Sequence, residues 1–151
     1  MSEEQRMKAI VKTKEMAGAE YLEVKVPNIG PEEVLVKVKA CAICGTDIHI
    51  YEWNNWAQEN TIKAYGPLPR IMGHEVSGIV EEVGKNVTKV RTGDRIAAET
   101  HIPCGSCFLC RTGNQFNCQN LKRFKDGVFA EYALIPEFSA EKIPENINLY
   151  K

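Results

Sequence analysis

The chain has little of what marks several large function classes. No apolar run approaches the roughly 20 residues that a membrane-crossing helix needs, so a membrane role is not expected. Charge of one sign is not in excess. Nineteen basic residues stand against 20 acidic ones, for a net charge of −1, which argues against a dedicated nucleic-acid binder. The one basic cluster, Lys122, Arg123 and Lys125, reads as a solvated loop. Internal repeats and low-complexity stretches are absent. The N-terminus lacks the basic, apolar and small-residue succession of an export signal. With cysteines spaced for metal rather than for disulfides, this suggests a cytoplasmic location.

What the chain does have is enough apolar material for a core. At 151 residues and 44% hydrophobic, one domain is expected, burying roughly 70% of its unfolded-chain surface.

Six cysteines are present, and four of them, Cys104, Cys107, Cys110 and Cys118, follow the pattern Cys-x2-Cys-x2-Cys-x7-Cys. Sulfurs three residues apart strain a disulfide but can share one ion, and tetrahedral zinc takes four of them at about 2.3 Å. Gly105 and Gly113 allow tight turns around an ion. An iron–sulfur cluster is the sharper rival, because the first three spacings match the bacterial ferredoxin run. The seven-residue last spacing and Gln119 after Cys118 depart from that run. Closed structural zinc is therefore preferred.

The first half reads as β. Short strands are expected at Ala9 to Lys12, Tyr21 to Val26 and Val34 to Ile43, the latter two alternating apolar and polar residues. Thr46 and Asp47 start a short helix to Trp53. Asn54 to Pro69 reads as an excursion loop with at most a short helix around Ala57. Strands return at Val76 to Val83, Arg95 to Ala98 and Val128 to Ile135. Many short strands separated by turn residues indicate a mainly β, barrel- or sandwich-like domain.

A second constellation is Cys44, His74 and Glu75. Cys44 sits at a strand-to-helix junction, where the helix N-terminus favours a thiolate. His74 and Glu75 are adjacent, so on a regular strand they would point to opposite faces. Both reach one ion only if the backbone turns there.

Three motifs carry a family resemblance. Gly73-His74-Glu75-Val76-Ser77-Gly78, then five residues to Gly84 and two to Val87, resembles the signature of zinc-containing medium-chain alcohol dehydrogenases. Cys44-Gly45-Thr46-Asp47-Ile48-His49 resembles a second segment of that family, and the four-cysteine run resembles its structural zinc lobe. The stretch from Ile48 to Gln58, with Trp53 and Trp56, is most similar to the branch that oxidises L-threonine at its 3-hydroxyl.

The resemblance implies a GroES-like, partly open β-barrel with a few short helices and a zinc-binding loop lobe, residues 1–151 forming one catalytic domain. It implies a catalytic zinc at Cys44, His74 and Glu75, and a structural zinc at Cys104, Cys107, Cys110 and Cys118. Thr46 and His49 would form a proton relay, although Thr46 as a helix cap and His49 as a histidine packed under Trp53 are alternatives. Cys41 reads as a small core residue and His101 as structural. Trp53 and Trp56 read equally as pocket lining or core.

The sequence also departs from the family. No Gly-x-Gly-x-x-Gly and no βαβ pattern is present, so NAD(P) could act only with a dinucleotide-binding half that this chain lacks. An acidic neighbour of the catalytic zinc would lie just past Lys151, and the loop from Asn120 to Asp126 reads as shortened. Two functions follow. One is the catalytic portion of a dehydrogenase acting on a small alcohol, inactive alone and joined to its missing half or to copies of itself. The other is a freestanding zinc-binding module, or one part of a split assembly.

Overall fold

The computed structural model describes residues 5–122 and 127–150. Its strands are β1 (Arg6–Lys12), β2 (Glu20–Lys25), β3 (Glu33–Ala42), β4 (Arg70–Ile71), β5 (Glu75–Val83), β6 (Arg95–Ala98), β7 (Tyr132–Pro136) and β8 (Ala140–Lys142). The helices are α1 (Gly45–Glu52), α2 (Asn55–Tyr65) and the single turn α3 (Phe108–Arg111). The strands form two antiparallel sheets, ordered β2-β1-β4 and β7-β3-β5-β6-β8.

β3 is the axis of the fold. Side chains alternate across a strand, and here both faces are buried where β3 begins. Val34 and Val36 point into a cluster with Val76, Val80, Ile96 and Ile135. Leu35 points the other way, to Met7, Val26 and Leu134. The three-stranded sheet thus covers one face of β3 and β7. Register shifts between Leu35 and Val36 and between Val38 and Ala40 mark bulges in the β3–β5 pairing, which bend a sheet. Beyond Val36 the β3 residues become intermediate or exposed, and the strand leads directly to Cys44.

The strand expectations hold, with three differences. Asn54 to Pro69 is not a loop but largely the 11-residue helix α2. Asn54 caps it by accepting the Ala57 N–H at 3.2 Å, and its buried stripe is only Ala57 and Thr61, a spacing of one turn with too little apolar signal to notice. Val128 to Ile135 is not one strand. Ala130 makes a single bridge to Ala9 before β7 begins at Tyr132, because the chain passes from one sheet to the other. Strands β4 and β8, of two and three residues, are too short to show a period. The shortened loop and most of the basic cluster fall on 123–126, outside the described residues.

Candidate metal centres

The four-cysteine lobe follows β6. Gly105 and Gly113 take positive φ values of 71° and 82°, as their expected turn role requires. All six cysteines are free thiols. Cys107 Sγ lies 3.5 Å from Cys110 Sγ and 4.0 Å from Cys118 Sγ, and Cys104 Sγ lies 4.0 Å from Cys110 Sγ. Four sulfurs about 2.3 Å from a tetrahedral ion would stand about 3.8 Å apart, so these spacings bracket what one ion needs. A cluster whose cysteines bind different irons would hold them farther apart.

Main-chain donors point at the same sulfurs. The Cys104 and Asn120 amides donate to Cys118 Sγ at 3.3 Å, and the Cys107 amide donates to Cys104 Sγ at 3.4 Å. The Ser106 hydroxyl and amide, with the Cys107 amide, bring the Cys104 thiol down to about 5. The Cys110 amide lowers Cys107. Desolvation, with the neighbouring sulfurs, pushes Cys110 up. Thiolates crowded together without a cation compete for a proton, and a divalent ion removes that conflict.

The second centre assembles from two elements. Cys44 is the N-cap of α1, two residues before Thr46. Thr46 is therefore not the cap. Instead its backbone N–H is the main cause, ahead of a hydrogen bond from His74, that lowers the Cys44 thiol pKa. His74 stands just before β5, after Gly73 at φ +87°. A Cβ on Gly73 would lie 2.3 Å from the Phe129 ring, so this turn requires glycine. It is the backbone turn that His74 and Glu75 needed. One ligand atom each from Cys44, His74 and Glu75 lie within 4.8 Å of one another, and His74 Nε2 is 3.9 Å from Glu75 Oε1. A sulfur, a nitrogen and an oxygen on three residues suit a zinc ion with one open position.

Asp47, expected only as a helix-start residue, also faces this centre. It is 3% exposed and sits three residues into α1. Its Oδ2 accepts the Cys44 N–H at 2.9 Å, and its Oδ1 lies 3.6 Å from His74 Nδ1. The Asp47 carboxylate is the largest cause that raises His74 to about 9. The signal was an acid at the third helical position, the reciprocal half of a capping box.

Not every candidate converges. His49 is exposed; its Nδ1 lies 2.7 Å from Asn54 Nδ2 and its ring 5.4 Å from the Trp56 centroid, not under Trp53. Trp53 is core at 8% exposure, whereas Trp56 is 39% exposed. His101 bonds Glu99 Oε1 through Nδ1 at 2.6 Å and meets the Phe116 ring edge-on. Cys41 is exposed rather than part of the core, because β3 has left the apolar layers by that point. Its thiol donates to the Val128 carbonyl at 3.2 Å, and desolvation raises it to about 11.

Residues 30–145 match the model of the alcohol dehydrogenase GroES-like domain. The chain belongs to that family. Over 146 residues this GroES-like chain is 54% identical to an L-threonine 3-dehydrogenase from Pyrococcus abyssi, covering 95% of this chain and 40% of the relative. Among solved structures, an alcohol dehydrogenase from E. coli CFT073 complexed with NADH superposes with a TM-score of 0.79 at 36% identity, covering 95% of this chain and 40% of that one. A thermostable alcohol dehydrogenase from Pyrobaculum aerophilum with cobalt and zinc bound has a TM-score of 0.81 at 28% identity, covering 97% and 43%. The GroES-like chain thus spans about two fifths of the length of these relatives. Among the described residues, no helix is long and apolar enough to cross a membrane.

Proposed function

We propose that this chain is the catalytic-domain portion of a zinc-dependent, NAD(P)-linked dehydrogenase that oxidises a secondary alcohol, with L-threonine at its 3-hydroxyl as the favoured substrate. The observation that carries the reading is the convergence of Cys44, His74 and Glu75 from α1 and the start of β5. Cys44, His74 and Glu75 would hold the catalytic zinc, and Cys104, Cys107, Cys110 and Cys118 the structural one. A zinc ion at the first centre supplies Lewis-acid stabilisation to a developing alkoxide.

The chain's own residues do the rest. Asp47 orients the His74 ring and ties it to the Cys44 backbone, as carboxylates behind ligating histidines do. Thr46 and His49 are three apart on α1 and share a face, which suits them to pass a proton from the alcohol to solvent. Asn54 Oδ1 is engaged by the Ala57 N–H, so its amide nitrogen is the side that donates to His49 Nδ1. That leaves the His49 proton on Nε2. A relay through His49 would take up a proton at Nδ1 only as Asn54 gives up its hydrogen bond there, and would release one from Nε2. Hydride transfer needs an acceptor within about 3–3.5 Å of the reacting carbon. No residue here is assigned to NAD(P), so the isolated chain is expected to be inactive.

Two measurements test this. Elemental analysis should find about two zinc ions per chain, one lost in Cys44→Ser and the other in Cys107→Ser. Joining the chain to the part of the Pyrococcus abyssi relative that it does not match should give threonine-dependent NADH formation that Cys44→Ser abolishes. A chain whose zinc content ignores Cys44→Ser, and whose fusion oxidises no alcohol, would be a non-catalytic zinc module instead.

A further inference from the structure

Lys12, the last residue of β1, is 0% exposed. It lies outside all three motifs, and nothing in its sequence context distinguishes it from a solvated strand-end lysine. Its ammonium donates to three main-chain carbonyls: Met16 at 2.5 Å, Gly18 at 2.8 Å and Tyr51 at 3.1 Å. It also sits 5.2 Å above the ring centroid of Trp53, within cation–π range. The Gly18 N–H donates to the same Tyr51 carbonyl at 2.8 Å. Met16 and Gly18 belong to the β1–β2 connection, while Tyr51 and Trp53 end α1.

Tyr51 carries one of the last-turn carbonyls that an α-helix cannot satisfy internally. A cation there also complements the negative end of the helix. Trp53 then leaves the helix at φ 53°, so a buried charge, a buried ring and a left-handed residue together fix this end. Burial pushes Lys12 below the usual lysine range, yet each of its three ammonium donors has an acceptor. An apolar side chain of the same length would keep the packing and leave those carbonyls short of a donor.

The other end of the same helix is the metal centre. Cys44 is its N-cap, and Asp47 in its first turn reaches His74. α1 has eight residues, or about 12 Å at 1.5 Å per residue, and so short a helix moves as a rigid rod. If its C-terminal end swings by about 1 Å about its middle, Cys44 at the opposite end swings by a similar amount and Asp47, nearer the pivot, by less, against a tolerance of about 0.2 Å in ligand distances. We propose that Lys12 is a positioning residue for the Cys44–His74–Glu75 centre, acting through the C-terminal end of α1. The inference rests on the reading of that centre given under Proposed function.

The test is cobalt titration of the zinc-free full chain, following the two centres separately. The four-cysteine lobe supplies only sulfur, whereas the Cys44 centre mixes sulfur, nitrogen and oxygen, so their cobalt spectra differ. In Lys12→Met the affinity at the Cys44 centre should fall about tenfold, the lower end of what outer-shell changes produce. Cobalt at the four-cysteine lobe should be unchanged. Gly18→Ala provides a second variant: no atom lies within 4 Å of the added Cβ, but φ +107° strains it, displacing one of the three acceptors. It should lower the same affinity by less, and it decides the matter if Lys12→Met does not fold. Wild-type affinity at the Cys44 centre despite a lower Tm would reduce Lys12 to a stabilising residue and overturn the proposal. Cobalt taken up by wild type only at the four-cysteine lobe would instead remove the centre itself, and with it the functional reading.

Discussion

The two oxygens of Asp47 are divided between the two halves of one centre: Oδ1 lies 3.6 Å from His74 Nδ1, and Oδ2 accepts the Cys44 N–H at 2.9 Å. One buried carboxylate thereby sets both the histidine ring and the backbone that carries the thiol. Asp47→Asn keeps the shape and removes the charge. Metal affinity at the Cys44 centre should then fall about 10- to 100-fold, while the four-cysteine lobe keeps its ion. Competition with a chelator of known affinity measures it. Unchanged affinity would show that Asp47 serves helix capping alone.

The four-cysteine lobe stands apart from the apolar clusters. Of its cysteines only Cys118 is buried, and among the described hydrophobic residues from Ile102 to Cys118 only Ile102 packs against the main cluster. Removing its metal should therefore loosen the lobe without unfolding the sheets. Chelator treatment, or Cys107→Ser, is expected to leave the β signal in far-UV circular dichroism in place and to open new protease cleavage sites between Cys104 and Cys118. Global loss of that signal would mean that the metal holds up the whole domain, as it does in the smallest zinc folds.

Glu137 provides a pH test away from both centres. Its Oε1 accepts the Thr88 N–H, the Lys89 N–H at 2.5 Å and the Thr88 hydroxyl at 3.2 Å. These donors, Lys89 N–H first, hold its carboxyl below the usual glutamate range. A carboxylate depressed on folding contributes stability above its unfolded pKa, and that contribution is lost as pH falls through the folded value. Glu137→Gln should therefore melt below wild type by a constant margin between about pH 6 and 8. The margin should close as the pH falls from the free carboxylate range through the lowered folded value. A margin that persists in acid would show that the effect comes from shape rather than charge.

Much of this was legible from local chemistry, and the remainder depended on contacts distant in sequence. The spacing of Cys104, Cys107, Cys110 and Cys118 announces one ion because four sulfurs on a short run have few other uses. Gly73 before His74 hinted at the turn that Glu75 needed. β3 was readable from its alternation, but its burial on both faces was not, since nothing local says that β1 will cover Leu35. The burial of Lys12 was not legible at all. A lysine at a strand end reads as solvated, and only the return of α1 across the β1–β2 connection buries it. Cys41 failed in the opposite sense: a cysteine with no metal partner at useful spacing reads as a small core residue, but beyond Val36 β3 is no longer buried.

That same end of β3 borders an apolar cleft of 460 Å³ lined in part by Ile10, Tyr21, Cys41, Ile43 and Phe129. Ile43 is 75% exposed, Tyr21 72% and Ile10 42%. Isolated exposed apolar residues are ordinary, but a contiguous group marks a surface that gains by being covered. The isolated chain should self-associate, and sedimentation velocity should show a weight-average coefficient that rises with concentration. Replacing Ile43 and Tyr21 together by serine removes the two most exposed large apolar side chains of the cleft, neither of them a candidate metal ligand, so the rise should flatten while zinc content stays unchanged. A wild-type chain that sediments as a monomer at every concentration would show that this face does not need a second copy to cover it.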